Sequence, residues 1–132
     1  MTSLLTVDIG NTNITIGAFT DQELTATWRL ATRETRTIDE HAWALEGVLQ
    51  SKGVEPSSFD AVVICSVVPP LTEDYVNALS SLTDVTPLVI GPGVRTGIRI
   101  HYDRTQDVGA DRIVDAVAAH QLYGGPIVVV DI

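Results

Sequence analysis

Leu4-Leu5-Thr6-Val7-Asp8-Ile9-Gly10-Asn11-Thr12-Asn13-Ile14-Thr15-Ile16-Gly17-Ala18-Phe19 is the stretch whose reading decides the fold. Leu4 to Ile9 is an apolar run of strand length, Gly10 to Asn13 has the residues of a tight turn, and Ile14 to Phe19 reads as a second strand. The pattern predicts a hairpin with a carboxylate, Asp8, near the end of its first strand. Glycine at such a turn lets backbone N–H groups approach phosphate oxygens. Asn11, Thr12 and Asn13 can add side-chain donors, and Asp8 can hold Mg2+ directly or through water. The same residues also read as an ordinary hairpin turn in which Asn and Gly supply only the conformation. Neither a Gly-Lys-Ser/Thr phosphate loop nor a Gly-x-Gly-x-x-Gly dinucleotide fingerprint follows.

Outward from the hairpin, Thr20 to Glu23 is a polar turn. Leu24 to Leu30 then alternates, with Leu24, Ala26, Trp28 and Leu30 on one face of a third strand. From Asp39 the spacing of Ala42, Leu45 and Leu49 predicts a helix that stops at Lys52-Gly53. Asp60 to Val68 reads as a buried strand closed by Pro69-Pro70, and Thr72 as the cap of a helix from Glu73 to about Leu82. Pro87 to Ile90 is a brief strand broken by Gly91-Pro92-Gly93, and Val94 to Gln106 reads as a loop. Asp107 can cap a last helix to about Leu122, ended by Gly124-Gly125-Pro126. Ile127 to Ile132 then reads as a buried strand that needs neighbours nothing later supplies, so the sequence is expected to lack a following segment or a partner chain. Leu5-Thr6-Val7-Asp8-Ile9 and Val128-Val129-Val130-Asp131-Ile132 echo each other, like the first strands of two related halves.

A chain of 132 residues with 45% hydrophobic and 19% charged residues fits one folded domain. No apolar run reaches the length of a membrane span, and the N-terminus lacks the basic and apolar regions of a secretory signal. Cys65 is the single cysteine, which suits a reducing cytoplasm, and its apolar surroundings read as those of a small buried hydrophobe. A net charge of −9 argues against nucleic acid or an anionic membrane as a partner. Of eight basic residues, Arg95, Arg99, Arg104 and Arg112 fall within one short segment, either as an anion site or as loop charge paired with Asp103, Asp107 and Asp111. His41, His101 and His120 have no metal-ligand spacing, and Trp28 and Trp43 read as packing residues.

The order strand, turn, strand, strand, helix, strand, helix is that of an actin-like ATPase half, a fold whose first hairpin holds nucleotide phosphates. More specifically, the chain resembles type III pantothenate kinases in five stretches. These are Leu5 to Asn13, Ser66-Val67-Val68-Pro69, Gly91 to Ile98, Val108-Gly109-Ala110-Asp111-Arg112, and Ile127 to Asp131. They occur in family order and cover nearly the whole chain.

The resemblance implies an α/β fold of the actin-like ATPase (ribonuclease H-like) class, a mixed sheet flanked by helices. Residues 1–125 would form the N-terminal domain and 126–132 the first strand of a second. It further implies that Asp8, Ile9, Gly10, Asn11, Thr12, Asn13, Ile14 and Thr15 bind ATP phosphates, with Asp8 on Mg2+. Tyr102, Gly109, Ala110, Asp111 and Arg112 would meet pantothenate, and Asp111 would accept the proton. Asp131 would hold a monovalent cation, K+ or NH4+. The expected assembly is a cytoplasmic homodimer. Taken without the resemblance, Asp111 also reads as a helix-start acid favoured by the macrodipole.

Two departures stand out. Arg104-Thr105 replaces the family's common Asn-Pro, and the Gly-Thr-rich turn that follows the second aspartate in the family is absent. With the family about twice this length, the chain is expected to be an N-terminal half, inactive by itself. The competing readings are a non-catalytic actin-like nucleotide-binding module and a regulatory factor. No helix-turn-helix pattern supports direct DNA binding.

Overall fold

The computed structural model describes residues 1–91, 109–126 and 128–129. The first hairpin forms as its alternation predicts: β1 (Ser3–Ile9) pairs antiparallel with β2 (Asn13–Thr20), placing Ile9 opposite Ile14 and Asp8 opposite Thr15. β3 (Glu23–Ala31) continues the meander on the far side of β2. After α1 (Ile38–Ser51) and a short 3-10 turn at Pro56–Ser58, β4 (Ala61–Ser66) returns parallel to β1 on its other side. α2 (Pro69–Thr83) then leads to β5 (Leu88–Val89), parallel to β4. The sheet order is β3-β2-β1-β4-β5, a mixed sheet with β1 at its centre, and α3 (Ala110–Tyr123) completes the described elements.

Strand alternation builds the core. Leu5, Val7 and Ile9 of β1, Ile14, Ile16 and Ala18 of β2, Trp28 of β3, and Val62 and Ile64 of β4 join one buried cluster. Leu45 and Leu49 of α1, Phe59, Val68, and Leu71, Tyr75, Ala78 and Leu79 of α2 complete it. Each fully buried Leu or Ile contributes roughly 1.5–3 kcal/mol by leaving water, which explains why both helices lie on that face. The opposite face carries Thr6, Asp8, Thr15, Val63 and Cys65, and there α3 packs against β4.

The structure departs from the sequence reading at several element ends. Pro69 and Pro70 do not close a loop; they open α2, whose N-cap is Val68. A proline in the first turn costs nothing there, because its missing N–H would have no intrahelical partner. Thr72 is therefore inside the helix, its hydroxyl donating to Ser66 Oγ at 2.9 Å. In β3 the register shifts between Ala18 and Phe19, so Ala26 faces Ala18 while Leu24 faces Phe19. That bulge moves Leu24 off the Trp28 face and onto the side of Gly17 and Thr6, where its Cδ1 approaches the Gly17 position.

α1 begins earlier than its apolar spacing indicates. Thr37 and Glu40 form a reciprocal capping box, with the Glu40 amide donating to Thr37 Oγ1 at 3.2 Å and the Thr37 amide to Glu40 Oε1 at 3.1 Å. α3 starts at Ala110 with Gly109 as its cap, whereas Asp107, the expected cap, lies outside the described residues. Most of the expected last strand, Ile127 to Ile132, also lies outside them. Val128 and Val129 are described, and neither is in a strand. Trp28 is buried, but Trp43 is 80% exposed and belongs to no core.

Candidate functional site

The C-terminal ends of the central strands set the site. The N–H of Gly10 donates to the Asn13 carbonyl at 2.9 Å, closing the turn between β1 and β2. A Cβ at Gly10 would sit 3.0 Å from that same carbonyl oxygen, so the close backbone approach calls for glycine. Two further bonds tie the turn down from β3: Thr32 Oγ1 donates to the Gly10 carbonyl at 2.7 Å and the Thr32 amide to the Thr12 carbonyl at 2.9 Å. From the other side, the Val67 amide donates to the Ile9 carbonyl at 3.0 Å. The Ser66-Val67-Val68-Pro69 segment thus lies against the turn, bringing the start of α2 beside it.

α3 approaches the same region from the opposite face. Gly109, its cap, lies near Val67, and the Gly109 carbonyl accepts from the Arg112 and Ile113 amides at 3.1 and 3.3 Å. Asp111 turns back along the helix start, its Oδ1 accepting from the Arg112 amide at 2.8 Å. An acid in that first turn is favoured by the helix macrodipole. Ala110 is buried beneath it, Asp111 is half-buried, and Arg112 is exposed.

Between sheet and helix lies a cavity of about 300 Å3 whose lining includes Thr6, Asp8, Cys65, Asp111, Val114 and Asp115. Asp8 and Asp111, far apart in sequence, therefore face one space. Asp8 is on the solvent-accessible side of β1, in a transverse row with Thr15 of β2 and Cys65 of β4. Arg29 of β3 extends that row one strand beyond Thr15.

Cys65 reports on the electrostatics. Burial pushes its thiol up to about 12, helped by the negative charges of Asp8, Asp111 and Asp115. At neutral pH it is a protonated, weakly polar lining group, in agreement with its reading as a small hydrophobe. Among the described residues no group of three or more His, Cys, Asp or Glu side chains is placed to hold a metal ion. A single accessible carboxylate such as Asp8 fits Mg2+, which keeps most of its waters and is held by one or two carboxylates plus substrate phosphates.

Of the residues expected at the site, Asp8, Ile9, Gly10, Asn11, Thr12, Asn13, Ile14 and Thr15 form one continuous turn and its flanks. Gly109, Ala110, Asp111 and Arg112 form the cap and first turn of α3. Ile9 and Ile14 are fully buried, so their part in the turn is to anchor it through the core. Tyr102 and Asp131 lie outside the described residues, as do Arg95, Arg99 and Arg104. Sequence reasoning missed Asp115 and Thr32. Asp115 had a legible signal, one helical turn beyond Asp111, whereas the placement of Thr32 depends on the β2–β3 register.

Comparison with solved structures defines the class first. The fold matches a protein with an actin-like ATPase fold from Bacteroides thetaiotaomicron (TM-score 0.50, 11% identity, 67% of this chain and 32% of that one). It also matches a Porphyromonas gingivalis protein assigned as an N-acetylglucosamine kinase (TM-score 0.52, 19% identity, 70% of this chain and 36% of that one). The chain thus has the actin-like ATPase fold. Its family is narrower: the model of type III pantothenate kinase matches residues 4–132, and the chain belongs to that family. Type III pantothenate kinases of Halalkalibacterium halodurans and Dehalococcoides mccartyi are each 44% identical to it over 128 residues, covering 97% of this chain and 50% of the relative. The chain spans about half the length of the curated relatives it matches.

Proposed function

We propose that this chain supplies the phosphate-binding turn and the catalytic carboxylate of an ATP-dependent pantothenate kinase, which transfers the γ-phosphoryl group to the primary hydroxyl of pantothenate. The observation that carries the reading is the meeting of Asp8 and Asp111 in one cavity at the ends of the central strands. Asp111 accepts the proton of the attacking hydroxyl, and the Gly10–Asn13 turn takes the phosphates through its amides and the Asn11, Thr12 and Asn13 side chains. Thr15 flanks Asp8, and Gly109 and Ala110 set the approach of substrate to Asp111. Arg112 offers a two-pronged partner for the substrate carboxylate, and Tyr102 lines that pocket.

Asp8 would hold Mg2+, which when bound neutralises phosphate charge. Asp131 would hold K+ or NH4+. The active form on this reading is a cytoplasmic homodimer of full-length chains, with residues 1–125 as its first domain and 126–132 as the first strand of its second. Among the described residues no helix is long and apolar enough to cross a membrane.

The test is phosphate transfer from ATP to pantothenate by the full-length protein with Mg2+ and K+ or NH4+; absence of turnover refutes the proposal. Asp111→Asn should lower kcat by roughly 100- to 10,000-fold, the usual range for a positioned acid or base. Full activity in that variant would remove Asp111 as the base, whereas ATP binding without transfer to pantothenate in the unsubstituted protein would favour a non-catalytic nucleotide-binding module.

A further inference from the structure

Thr32 follows β3 and lies in none of the stretches that carry the family resemblance, yet it holds the phosphate turn at two points. Its hydroxyl donates to the Gly10 carbonyl at 2.7 Å and its amide to the Thr12 carbonyl at 2.9 Å. We propose that Thr32 is a positioning residue for nucleotide binding, aiming the Asn11 and Asn13 amides at the phosphates by holding the preceding carbonyls away from them. The inference rests on reading the Gly10–Asn13 turn as a phosphate cradle.

The geometry follows from the planarity of the trans peptide. In each unit the N–H of one residue points opposite to the carbonyl of the residue before it. Fixing the Gly10 carbonyl on Thr32 Oγ1 therefore turns the Asn11 N–H away from β3, and fixing the Thr12 carbonyl on the Thr32 amide does the same for the Asn13 N–H. A peptide plane that turned over would present a carbonyl oxygen to a phosphate oxygen, replacing attraction with repulsion. The Asn13 carbonyl is also engaged, by the Gly10 amide, and the Ile9 carbonyl just before the turn by the Val67 amide. No described acceptor receives the Asn11 N–H. Of the two Thr32 bonds, only the hydroxyl's depends on the side chain, so side-chain substitution isolates the Gly10–Asn11 unit. Thr32 is half-buried, which limits how well water can replace its hydroxyl.

The experiment compares Thr32→Val, Thr32→Ala and Thr32→Ser in the full-length protein. It reads Mg2+-ADP affinity by calorimetry and the KM values for ATP and pantothenate by steady-state kinetics. Val and Ala remove the hydroxyl and keep the amide; Ser keeps both. The expected result is ADP binding roughly five- to tenfold weaker, and a KM for ATP raised in proportion, in the Val and Ala variants. The KM for pantothenate should stay within about twofold, and Ser should restore ADP affinity to within about twofold. If Val fails to fold, Ala carries the comparison. Unchanged ADP affinity in the variants, an equal rise in both KM values, or an equal loss in Ser overturns the role of Thr32, as does an unsubstituted protein that binds no ADP. An unsubstituted protein that shows these affinity ratios and leaves pantothenate unphosphorylated overturns the proposed reaction and leaves Thr32's role standing.

Discussion

At Gly109 the lack of a side chain determines where a carboxylate can sit. A Cβ added there would meet Asp111 Oδ1 at 2.7 Å, too close for both atoms to stay in place. The Gly109 backbone is extended, a conformation open to alanine, and the obstructing atom ends a flexible side chain, so the fold yields at little cost. The proposed base does not escape as cheaply, since a displacement of about 1 Å at a reacting group can cost on the order of 100-fold in rate. Gly109→Ala in the full-length protein is expected to lower kcat about tenfold or more while the melting temperature moves by no more than about 2 °C. Unchanged kcat in that variant would show that Asp111 tolerates displacement and weaken its role as base. At this scale the site was half legible. Gly109-Ala110-Asp111-Arg112 stood out as a motif, but the shared cavity with Asp8, Cys65 and Asp115 comes only from the strand order that brings β1 and β4 under α3.

The seam between the two helices that cover the core contains a titratable group. His41 of α1 is 1% exposed, has its ring centroid 4.8 Å from that of Tyr75 of α2, and finds no hydrogen-bond partner for either ring nitrogen among the described residues. Burial lowers its pKa below the ordinary 6.5; Asp74 and Glu40 oppose that shift and Arg36 adds to it. Between the folded pKa and 6.5 the unfolded chain therefore binds more protons than the folded one. Stability should be complete above about 6.5 and fall as the pH drops below it. Thermal melts from pH 7.5 to 5.0 should show that decline, and His41→Phe should flatten it by removing the titrating ring. The same variant should gain about 1 kcal/mol at neutral pH, because two unpaired buried nitrogens disappear. An equally steep decline in His41→Phe would place the titration elsewhere. The elements were mostly legible, because alternation and helical spacing both record which face is buried. The boundaries are less legible: the Thr37-x-x-Glu40 capping box marks the start of α1 where apolar spacing does not, and Pro69-Pro70 can end one element or open the next, because proline's role depends on whether the helix lies before or after it.

Across the whole molecule, the order β3-β2-β1-β4-β5 could not be derived from local pattern, since a parallel β1–β4 pair leaves no turn signature in the sequence. The resemblance implied a mixed sheet flanked by helices but not this strand order, and the two sides of the sheet are unequally covered by the described helices. α1 buries His41, Leu45 and Leu49, and α2 buries Leu71, Tyr75, Ala78, Leu79 and Thr83, whereas α3 buries only Ala110 and Ile113. At the far end of α3, Leu122 is 72% and Tyr123 79% exposed. Local opening follows burial, so protection should fall along α3 from a firm first turn to a loose last one. In the 132-residue chain, hydrogen exchange at Val117 to Tyr123 is expected to be at least about tenfold faster than at Leu45 to Leu49 or Leu71 to Leu79. Amides near Ile113 should exchange at intermediate rates. Uniform protection across the three helices would mean that α3 is held as firmly as the core. The expected gradient would instead keep Asp111 fixed at the anchored end, so that the cavity holds its shape while the far end of the helix opens.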